Sequence, residues 1–162
     1  MKKVLLRAPI LTRSGYGEHA RFVLNALTSN PEYDVYVEPL NWGQTNWVFE
    51  DTDYRKYIDS LIAKFGSHEG EYDICMQVTI PNEWMKVAKY NIGVCAGIET
   101  DRVAPVWLQT ANEMDGVIVT SNHAKSGFVG SAYTLANEQG QAVSKLVCDV
   151  PVEVVHYGCL LY

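Results

Sequence analysis

Short apolar runs recur along this chain, and amphipathic segments with helical spacing separate most of them. The predicted strands cover residues 4–8, 34–40, 72–79, 91–95, 116–120 and 152–156. Strands that are apolar throughout are expected to be buried on both faces, as in parallel sheets that carry helices on each side. The alternation of strands and helices therefore predicts an α/β fold: a Rossmann-like, doubly wound parallel sheet that forms a single domain over residues 1–162.

The helices between these strands are predicted from their apolar spacing and their end signals. In the first, residues 18–29, one buried face follows the i, i+3, i+4, i+7 pattern, and Asn30-Pro31 stops the helix. Asp51 or Thr52 can cap the second, and Gly66 is expected to end it in the left-handed conformation. The last two cover residues 105–114, started by proline, and 122–130, capped by Ser121 or Asn122. Residues 133–149 fit this alternation least and are predicted to form an insertion, either a helix or a hairpin.

Composition excludes several classes of protein. The chain has 162 residues, of which 48% are hydrophobic and 20% charged, so a globular domain is expected rather than a disordered segment. Its net charge is -6 and its basic residues are scattered, which argues against a nucleic-acid partner. No apolar run approaches the ~18 residues of a transmembrane segment. The four cysteines are Cys75, Cys95, Cys148 and Cys159, and their spacing is not that of metal ligands. We therefore expect free thiols, as in proteins of the reducing cytoplasm.

A glycine-containing loop follows the first predicted strand. Glycine lets the backbone approach a ligand closely, and the start of the next helix presents unpaired N–H groups with partial positive charge. Together these features predict a site for the phosphates of a donor molecule. The residues assigned to this donor and phosphate site are Ser14, Gly15, Tyr16 and Gly17. A turn that merely needs small residues would explain the same pattern.

The same loop also matches part of a dinucleotide-binding fingerprint. Gly15, Gly17 and Ala20 fit the pattern G-x-G-x-x-A, and Glu38 stands about where a ribose-binding acid is expected. However, residues 11–14 lengthen the loop before its first glycine, whereas the fingerprint places that glycine directly after the strand. Glu18 would also repel a bound phosphate unless it caps the helix. A small NAD(P)-type domain is therefore kept as an alternative.

An acidic loop follows the fourth predicted strand, and the carboxyl ends of parallel strands are where open α/β sheets bind their ligands. Its carboxylates could accept hydrogen bonds from the hydroxyls of a sugar-like ligand, or they could instead cap the next helix. The residues assigned to the acceptor side are Glu99, Thr100, Asp101 and Asn122. Trp42 and Trp47 could form an aromatic wall for a sugar ring, or anchor their loop to the core. No residue is assigned as catalytic.

Taken in order, these motifs resemble the N-terminal half of retaining glycosyltransferases of the GT-B fold. The glycine loop is followed by Arg21 in the first helix, and Asn91-x-Gly93 leads into the acidic loop at 99–102. Trp107 then precedes the segment 115–121, and the chain closes with a strand and a His-x-Gly turn. Each motif is loose alone, but their order and spacing are fairly specific, and they span nearly all of the chain.

The resemblance implies a function. The N-terminal domain of such enzymes mainly binds the acceptor, and its first loop touches the phosphates or the transferred sugar of a nucleotide-sugar donor. The implied reaction transfers a glycosyl group to a glycan or small-molecule acceptor, with no cofactor and no metal. It also implies that the C-terminal nucleotide-sugar-binding domain is absent from this chain, which is expected to be inactive alone. A non-catalytic subunit whose partner supplies that domain is a further alternative.

Overall fold

The computed structural model describes residues 1–137 and 139–158. These ranges contain eight strands, four α-helices and a 3-10 helix at Pro81–Glu83. In chain order they are β1 (Lys2–Ala8), α1 (Gly15–Thr28), β2 (Tyr33–Pro39), α2 (Asp53–Gly66), β3 (Tyr72–Val78), β4 (Ala88–Cys95), α3 (Pro105–Ala111), β5 (Gly116–Val119), α4 (Asn122–Gly130), β6 (Tyr133–Ala136), β7 (Ala142–Leu146) and β8 (Val152–Val154).

Six of the strands form one parallel sheet in the order β2-β1-β3-β4-β5-β8, flanked by the four helices. The predicted Rossmann-like α/β fold is therefore confirmed. The chain divides into two compact units. The first comprises residues 1–79 and 86–91, and the second comprises residues 80–85 and those from 92 onward. No helix in the described ranges has both the length and the apolar character that crossing a bilayer demands.

In the first unit, β1 lies between β2 and β3 and supplies much of the core. Leu5 is in register with Tyr36 of β2 and with Cys75 of β3, and these three side chains form a buried cluster against which Phe65 of α2 packs. Because neighbouring residues of a strand point to opposite faces, Leu6 faces the other side, where α1 contacts the strands. Helices thus cover both faces, as expected for a doubly wound sheet.

The chain runs from β1 outward to β2 and then returns past β1 to β3, so the direction of winding reverses between β1 and β3. Side chains near the carboxyl ends of the three strands are linked there. The Arg7 guanidinium donates from Nη1 to Gln77 Oε1 at 3.0 Å and from Nε to Glu38 Oε2 at 2.6 Å. Arg7 therefore ties β1 to both neighbours at the topological switch point, where ligands of such sheets usually bind.

In the second unit, β5 lies between β4 and β8, and α4 contacts both β5 and β8. Phe128 of α4 is fully buried, and Trp107 of α3 stacks on it with ring centroids 6.1 Å apart. Trp84, which ends the 3-10 helix, is also buried and packs against Gly93 of β4. Aromatic rings thus fill much of the space around these short strands.

The segment at 133–149 forms a hairpin, one of the two predicted alternatives. Strands β6 and β7 pair antiparallel in a two-stranded sheet of their own, with an irregularity between Leu135 and Ala136. Most of their side chains are exposed. The turn includes Gly140 at a φ of 78°, a left-handed conformation that glycine adopts without strain.

The structure corrects the predicted end of α2. Gly66 is the last residue of the helix but has no positive φ, so its assignment as a left-handed terminator is wrong. Instead Ser67 continues the right-handed turn, and its N–H donates to the Ala63 carbonyl at 3.2 Å. The left-handed residue that follows is Gly70, with a φ of 128°. The positive φ therefore occurs four residues later than the sequence predicted.

Two other elements end at least two residues earlier than predicted. Helix α3 ends at Ala111 rather than at residue 114, and β8 ends at Val154 rather than at 156. His156 lies beyond that strand, with its Nδ1 atom 3.0 Å from the Thr120 carbonyl oxygen. The thiols of Cys75 and Cys95 are free and buried, that of Cys148 is free and half-buried, and Cys159 lies outside the described residues.

Candidate functional site

The predicted donor loop is shaped by a helix cap. Ser14 accepts a hydrogen bond at 3.0 Å from the Gly17 N–H, and its hydroxyl lies 2.8 Å from Thr12 Oγ1. Helix α1 therefore begins at Gly15, three residues before the predicted start. Serine is among the residues that cap helix N-termini best, because its short side chain reaches the otherwise unpaired N–H groups of the first turn. The Ser14 hydroxyl and the Gly17 amide are thus bonded to each other.

The two glycines of this loop have different surroundings. A Cβ atom at position 17 would overlap the Thr12 carbonyl oxygen and lie 2.9 Å from Thr12 Oγ1, whereas nothing lies within 4 Å of one at position 15. Neither glycine has a positive φ. Gly17 is needed because the first turn of α1 packs directly on the backbone of the preceding loop. Gly15 is exposed and leaves the backbone at the helix start open.

Arg21 holds the same loop against α1. It donates from Nη1 to the carbonyl oxygens of Ile10 at 2.6 Å and Thr12 at 3.2 Å, and from Nη2 to Glu18 Oε1 at 2.7 Å. The Glu18 carboxylate thus forms an ion pair with Arg21. The sequence had placed Arg21 only within the family motif, and its spacing of three residues from Glu18 is the signal that indicates this pair.

An aromatic pair extends from the donor loop. The rings of Tyr16 and Trp42 have centroids 4.5 Å apart and planes inclined by 33°. Trp47 forms an isolated antiparallel bridge with Thr12, and 36% of its surface is exposed. The Trp42 ring and the Trp47 backbone therefore connect the 41–47 loop to the first loop, and neither tryptophan is buried in the core as the anchoring alternative predicted.

The environment of Glu38 weighs against the dinucleotide alternative. Its Oε2 atom accepts the ion pair from Arg7, whose side chain is only 11% exposed. A ribose-binding acid must instead direct its carboxylate at the two ribose hydroxyls. Because the half-buried Arg7 guanidinium of the neighbouring strand holds Glu38, a ribose would have to compete with it for the Glu38 carboxylate.

The acidic loop of the second unit does not cap a helix. Helix α3 begins after Ala104, which makes no side-chain cap, and its first turn contains no acid. The capping interpretation of Glu99 and Asp101 is therefore wrong. Both residues are exposed, and neither carboxylate has a hydrogen-bond or ion-pair partner in residues 1–137 and 139–158. The Thr100 hydroxyl, by contrast, donates to the Arg102 carbonyl at 2.7 Å.

Gly97 fixes the path by which this loop leaves β4. Its φ is 89°, and a Cβ atom there would overlap the Cβ atom of Ala124 in the first turn of α4. Ser121 caps that helix by accepting the Ala124 N–H at 3.1 Å. Gly97 is not among the predicted site residues, although a glycine just after a strand is a turn signal that could have identified it.

A shallow cavity of about 240 Å³ opens beside this loop. Its polar side chains are Glu99, Ser121 and His123, and the other lining residues are Ala96, Gly97, Ile98 and Ala124. Of the four predicted acceptor-side residues, only Glu99 lines it. The cavity is not lined by Thr100, Asp101 or Asn122. The residues on either side of Asn122, Ser121 and His123, line it instead. The cavity offers a carboxylate, a hydroxyl and an imidazole, which are hydrogen-bonding groups suited to a polyol.

The two predicted groups belong to different units. Ser14, Gly15, Tyr16 and Gly17 lie in the first unit, after β1, whereas Glu99, Thr100, Asp101 and Asn122 lie in the second, after β4 and β5. Each group follows the carboxyl end of its parallel strand, as the sequence predicted. That they share one cleft stays a prediction.

His19, on α1 just behind the donor loop, is buried, with 6% of its surface exposed. Burial lowers its pKa from 6.5 to about 4. The unfolded chain therefore binds a proton at His19 below pH 6.5, while the folded chain stays neutral there until about pH 4. The contribution of His19 to the free energy of unfolding is therefore fully present above pH 6.5, and it decreases as the pH falls from 6.5 toward 4. We expect a loss of about 2 kcal/mol between pH 7.5 and pH 5, measured by urea unfolding.

The control for this prediction is the His19→Gln variant, which keeps a polar side chain of similar length but does not titrate. Its free energy of unfolding should fall by about 2 kcal/mol less than that of the unmodified chain over the same pH interval. Equal pH dependence in the two proteins would show that other groups cause the acid sensitivity.

No protein-family model, curated protein or solved structure matches this chain. The resemblance to GT-B glycosyltransferases therefore rests on the motifs and their order alone.

Proposed function

We propose that this chain is the acceptor-binding domain of a retaining GT-B-type glycosyltransferase that uses a nucleotide-sugar donor. The observation that carries the proposal is the pair of exposed carboxylates, Glu99 and Asp101, on the loop after β4, which have no bonding partner among the residues that the structure describes. An acid without a structural partner at the carboxyl end of a parallel strand is placed where ligands of such folds bind. The Rossmann-like sheet is compatible with this function but serves many others, so the site must carry the proposal.

The cavity beside Glu99 supports a sugar acceptor. A carboxylate has two oxygens that accept hydrogen bonds, and it can therefore hold two neighbouring hydroxyl groups of a pyranose ring. Ser121 and His123 border the same cavity and can complete the hydrogen bonding of the ring. At about 240 Å³ the cavity is small and open, which suits one terminal sugar better than a large apolar molecule.

The first loop supports a role on the donor side. Ser14 and Gly17 are bonded to each other and shape the start of α1, which leaves the exposed Gly15 as the place where a phosphate or sugar can approach the backbone. The ring of Tyr16, which contacts the Trp42 ring in a tilted arrangement, would border that approach. The second domain of the complete enzyme would bind the nucleotide.

We also infer a cytoplasmic location from the thiols. Cys75 and Cys95 are free and buried, and burial raises the pKa of each to about 12. Such thiols stay protonated and unreactive at neutral pH. A fold that keeps free buried cysteines without disulfides is typical of a reducing compartment.

A titration with sugars followed by two-dimensional amide NMR tests the acceptor assignment. Methyl glycosides of glucose, galactose, mannose and N-acetylglucosamine are added in turn. At least one should shift the amide signals of residues 96–101 and 121–124. In the Glu99→Gln variant the affinity for that sugar should fall about tenfold, because a hydrogen bond to a charged acceptor is replaced by a weaker neutral one.

The matched control is Glu113→Gln, which removes one exposed acid of the same unit that does not line the cavity. Its affinity should equal that of the unmodified chain. The proposal is contradicted if none of the glycosides shifts these signals, or if Glu113→Gln weakens binding as much as Glu99→Gln does.

A further inference from the structure

A larger cavity of about 510 Å³ lies in the first unit, lined by α1, the first loop, the segment before α2 and the first turns of α2. This mixed-charge pocket is defined by its five charged lining residues: Arg13, Glu18, Arg21, Glu50 and Arg55. None of them belongs to the predicted donor or acceptor sites. Its volume is within the range of pockets that enclose small molecules, about 300–1,000 Å³.

Each charged side chain of the pocket has an opposite charge beside it. The ion pairs, with their N···O distances, are Glu18–Arg21 at 2.7 Å, Arg13–Glu50 at 3.2 Å and Arg55–Asp59 at 2.9 Å. Asp59 lies outside the lining, so the lining itself carries three positive and two negative groups. A ligand with a single charge would be attracted by some of these groups and repelled by others. The pocket therefore favours neither simple anions nor simple cations.

The Arg13–Glu50 pair keeps hydrogen-bonding capacity on both of its partners. One bond joins Arg13 Nη2 to Glu50 Oε1, and the two side chains are 58% and 65% exposed. Arg13 Nη1 and Glu50 Oε2 have no partner in residues 1–137 and 139–158. The same holds for Arg55 Nη2, because Arg55 bonds to Asp59 through Nε and to the Val48 carbonyl through Nη1. A ligand can therefore meet unused donors and an unused acceptor next to each other.

The Glu18–Arg21 pair differs from the first pair in what it leaves available. Arg21 uses both Nη atoms, on the Ile10 and Thr12 carbonyls and on Glu18, and its side chain is only 13% exposed. Glu18 is 65% exposed, and its Oε2 atom has no partner within the part of the chain that the structure describes. This pair therefore offers a ligand a carboxylate oxygen, whereas its guanidinium Nη atoms are occupied.

Three aliphatic side chains line the same pocket: Leu11, Val48 and Ile58. Leu11 and Ile58 are buried, and Val48 is half-buried. Backbone bonds hold these walls in place, since the Val48 N–H donates to the Leu11 carbonyl at 2.7 Å and the Arg13 N–H donates to the Asn46 carbonyl at 2.7 Å. A polyol would place hydroxyl groups against this apolar surface, whereas an alkyl or aryl group would cover it. The ligand that fits is therefore amphipathic.

We propose that the mixed-charge pocket binds a free α-amino acid with an apolar side chain. Its carboxylate would accept hydrogen bonds from Arg13 Nη1 and Arg55 Nη2, and its ammonium group would donate to Glu50 and Glu18. Because Arg13 and Glu50 are bonded to each other, the opposite charges of the ligand must also lie close together, as they do on the α-carbon of an amino acid. The ligand side chain would cover the three aliphatic residues. This inference does not rest on the proposed sugar site, since the two sets of residues do not overlap.

The test uses L-leucine, L-methionine and L-phenylalanine as probes, and two-dimensional amide NMR of the full chain follows binding. At least one should shift the amide signals of residues 11–13, 48–50 and 55, with a Kd of about 1 mM or tighter. The tightest probe is then compared with three part-ligands: the corresponding acid without the amino group, the corresponding amine without the carboxyl group, and glycine, which lacks the side chain. Each part-ligand should bind about fivefold more weakly or not at all, because it loses one of the three contacts.

Two variants should change the selectivity of the pocket in opposite directions. Glu50→Gln should weaken binding of the amino acid about fivefold but should not weaken binding of the acid, which has no ammonium group to lose a partner. Arg13→Gln should weaken binding of the amino acid to a similar extent but should not weaken binding of the amine. Both side chains are exposed, so folding should be retained. If the pair only held the walls of the pocket together, each variant would weaken all three ligands alike.

Glu69→Gln and Lys56→Gln are the matched controls. Each removes one exposed charge from the same unit at a residue that does not line the cavity. Both variants should bind the amino acid as tightly as the unmodified chain does. The proposal is overturned if no amino acid shifts these signals, or if the acid, the amine or a methyl glycoside binds there as tightly as the amino acid. It is also overturned if either control variant weakens binding as much as Arg13→Gln or Glu50→Gln.

Discussion

Replacement of Gly17 by alanine is expected to lower the free energy of unfolding by about 3 kcal/mol. The added methyl group would overlap the Thr12 carbonyl oxygen and would lie 3.1 Å from the Thr12 carbonyl carbon. These are backbone atoms, and they cannot move alone because Arg21 bonds to that same carbonyl oxygen and to the Ile10 carbonyl. Either the first turn of α1 must unwind or the whole loop must shift, and both disturb the Ser14 cap.

Gly15→Ala is the matched control for this experiment. The two positions are two residues apart in the same helical turn, but a Cβ atom at position 15 meets nothing within 4 Å. Alanine there should be neutral or should raise stability by about 0.5 kcal/mol, since it restricts the unfolded chain more than glycine does. Urea unfolding of both variants measures the difference. Equal destabilisation by the two substitutions would contradict the assigned role of Gly17.

This pair of glycines also shows how far the sequence can be interpreted. The sequence located the loop and predicted that another group comes close to its backbone, but that group was taken to be a ligand. In the structure the group that approaches Gly17 is the chain itself, at Thr12. Which of two glycines is sterically required depends on the path of the loop. That path is set by the bonds from Arg21, which no local pattern reveals.

The fold was predictable because its signals are local and repeated. Each strand of the parallel sheet except β8 contains a short apolar run, and each helix except the short α3 has an apolar stripe or a capping residue that marks its start. The errors lie at element ends, as with Gly66. A glycine at a helix end favours the left-handed conformation but does not impose it, and here Ser67 continued the right-handed turn.

The candidate acceptor site was predictable only in part. The position of Glu99 after a strand follows from the alternation of elements, and the structure places it at a cavity. The sequence chose Asn122 on the next helix, whereas Ser121 and His123 line that cavity. A difference of one residue in a helical turn rotates a side chain by about 100°, and sequence patterns do not fix element starts to that accuracy.

Gly93→Ala in β4 is expected to cost about 3 kcal/mol as well, through a different contact. A Cβ atom at this position would lie 2.5 Å from Cε3 and Cζ3 of the Trp84 ring and 2.6 Å from Cδ2. Because Cδ2 is near the root of the side chain, a small rotation at the tip cannot relieve the overlap. Trp84 is only 4% exposed, so the displaced ring would have to disturb its other neighbours.

Gly116→Ala, on the neighbouring strand of the same unit, is the control, because a Cβ atom there comes no closer than 3.7 Å to the Pro151 carbonyl oxygen. We expect this variant to be neutral or slightly stabilised, since glycine within a strand costs backbone entropy. The decisive measurement is a double-mutant cycle with Trp84→Leu, which removes the ring atoms that the new methyl group would meet. In that background the penalty of Gly93→Ala should fall below about 1 kcal/mol. A penalty that stays near 3 kcal/mol would place the cause in the β4 backbone rather than in the packing of Trp84 on Gly93.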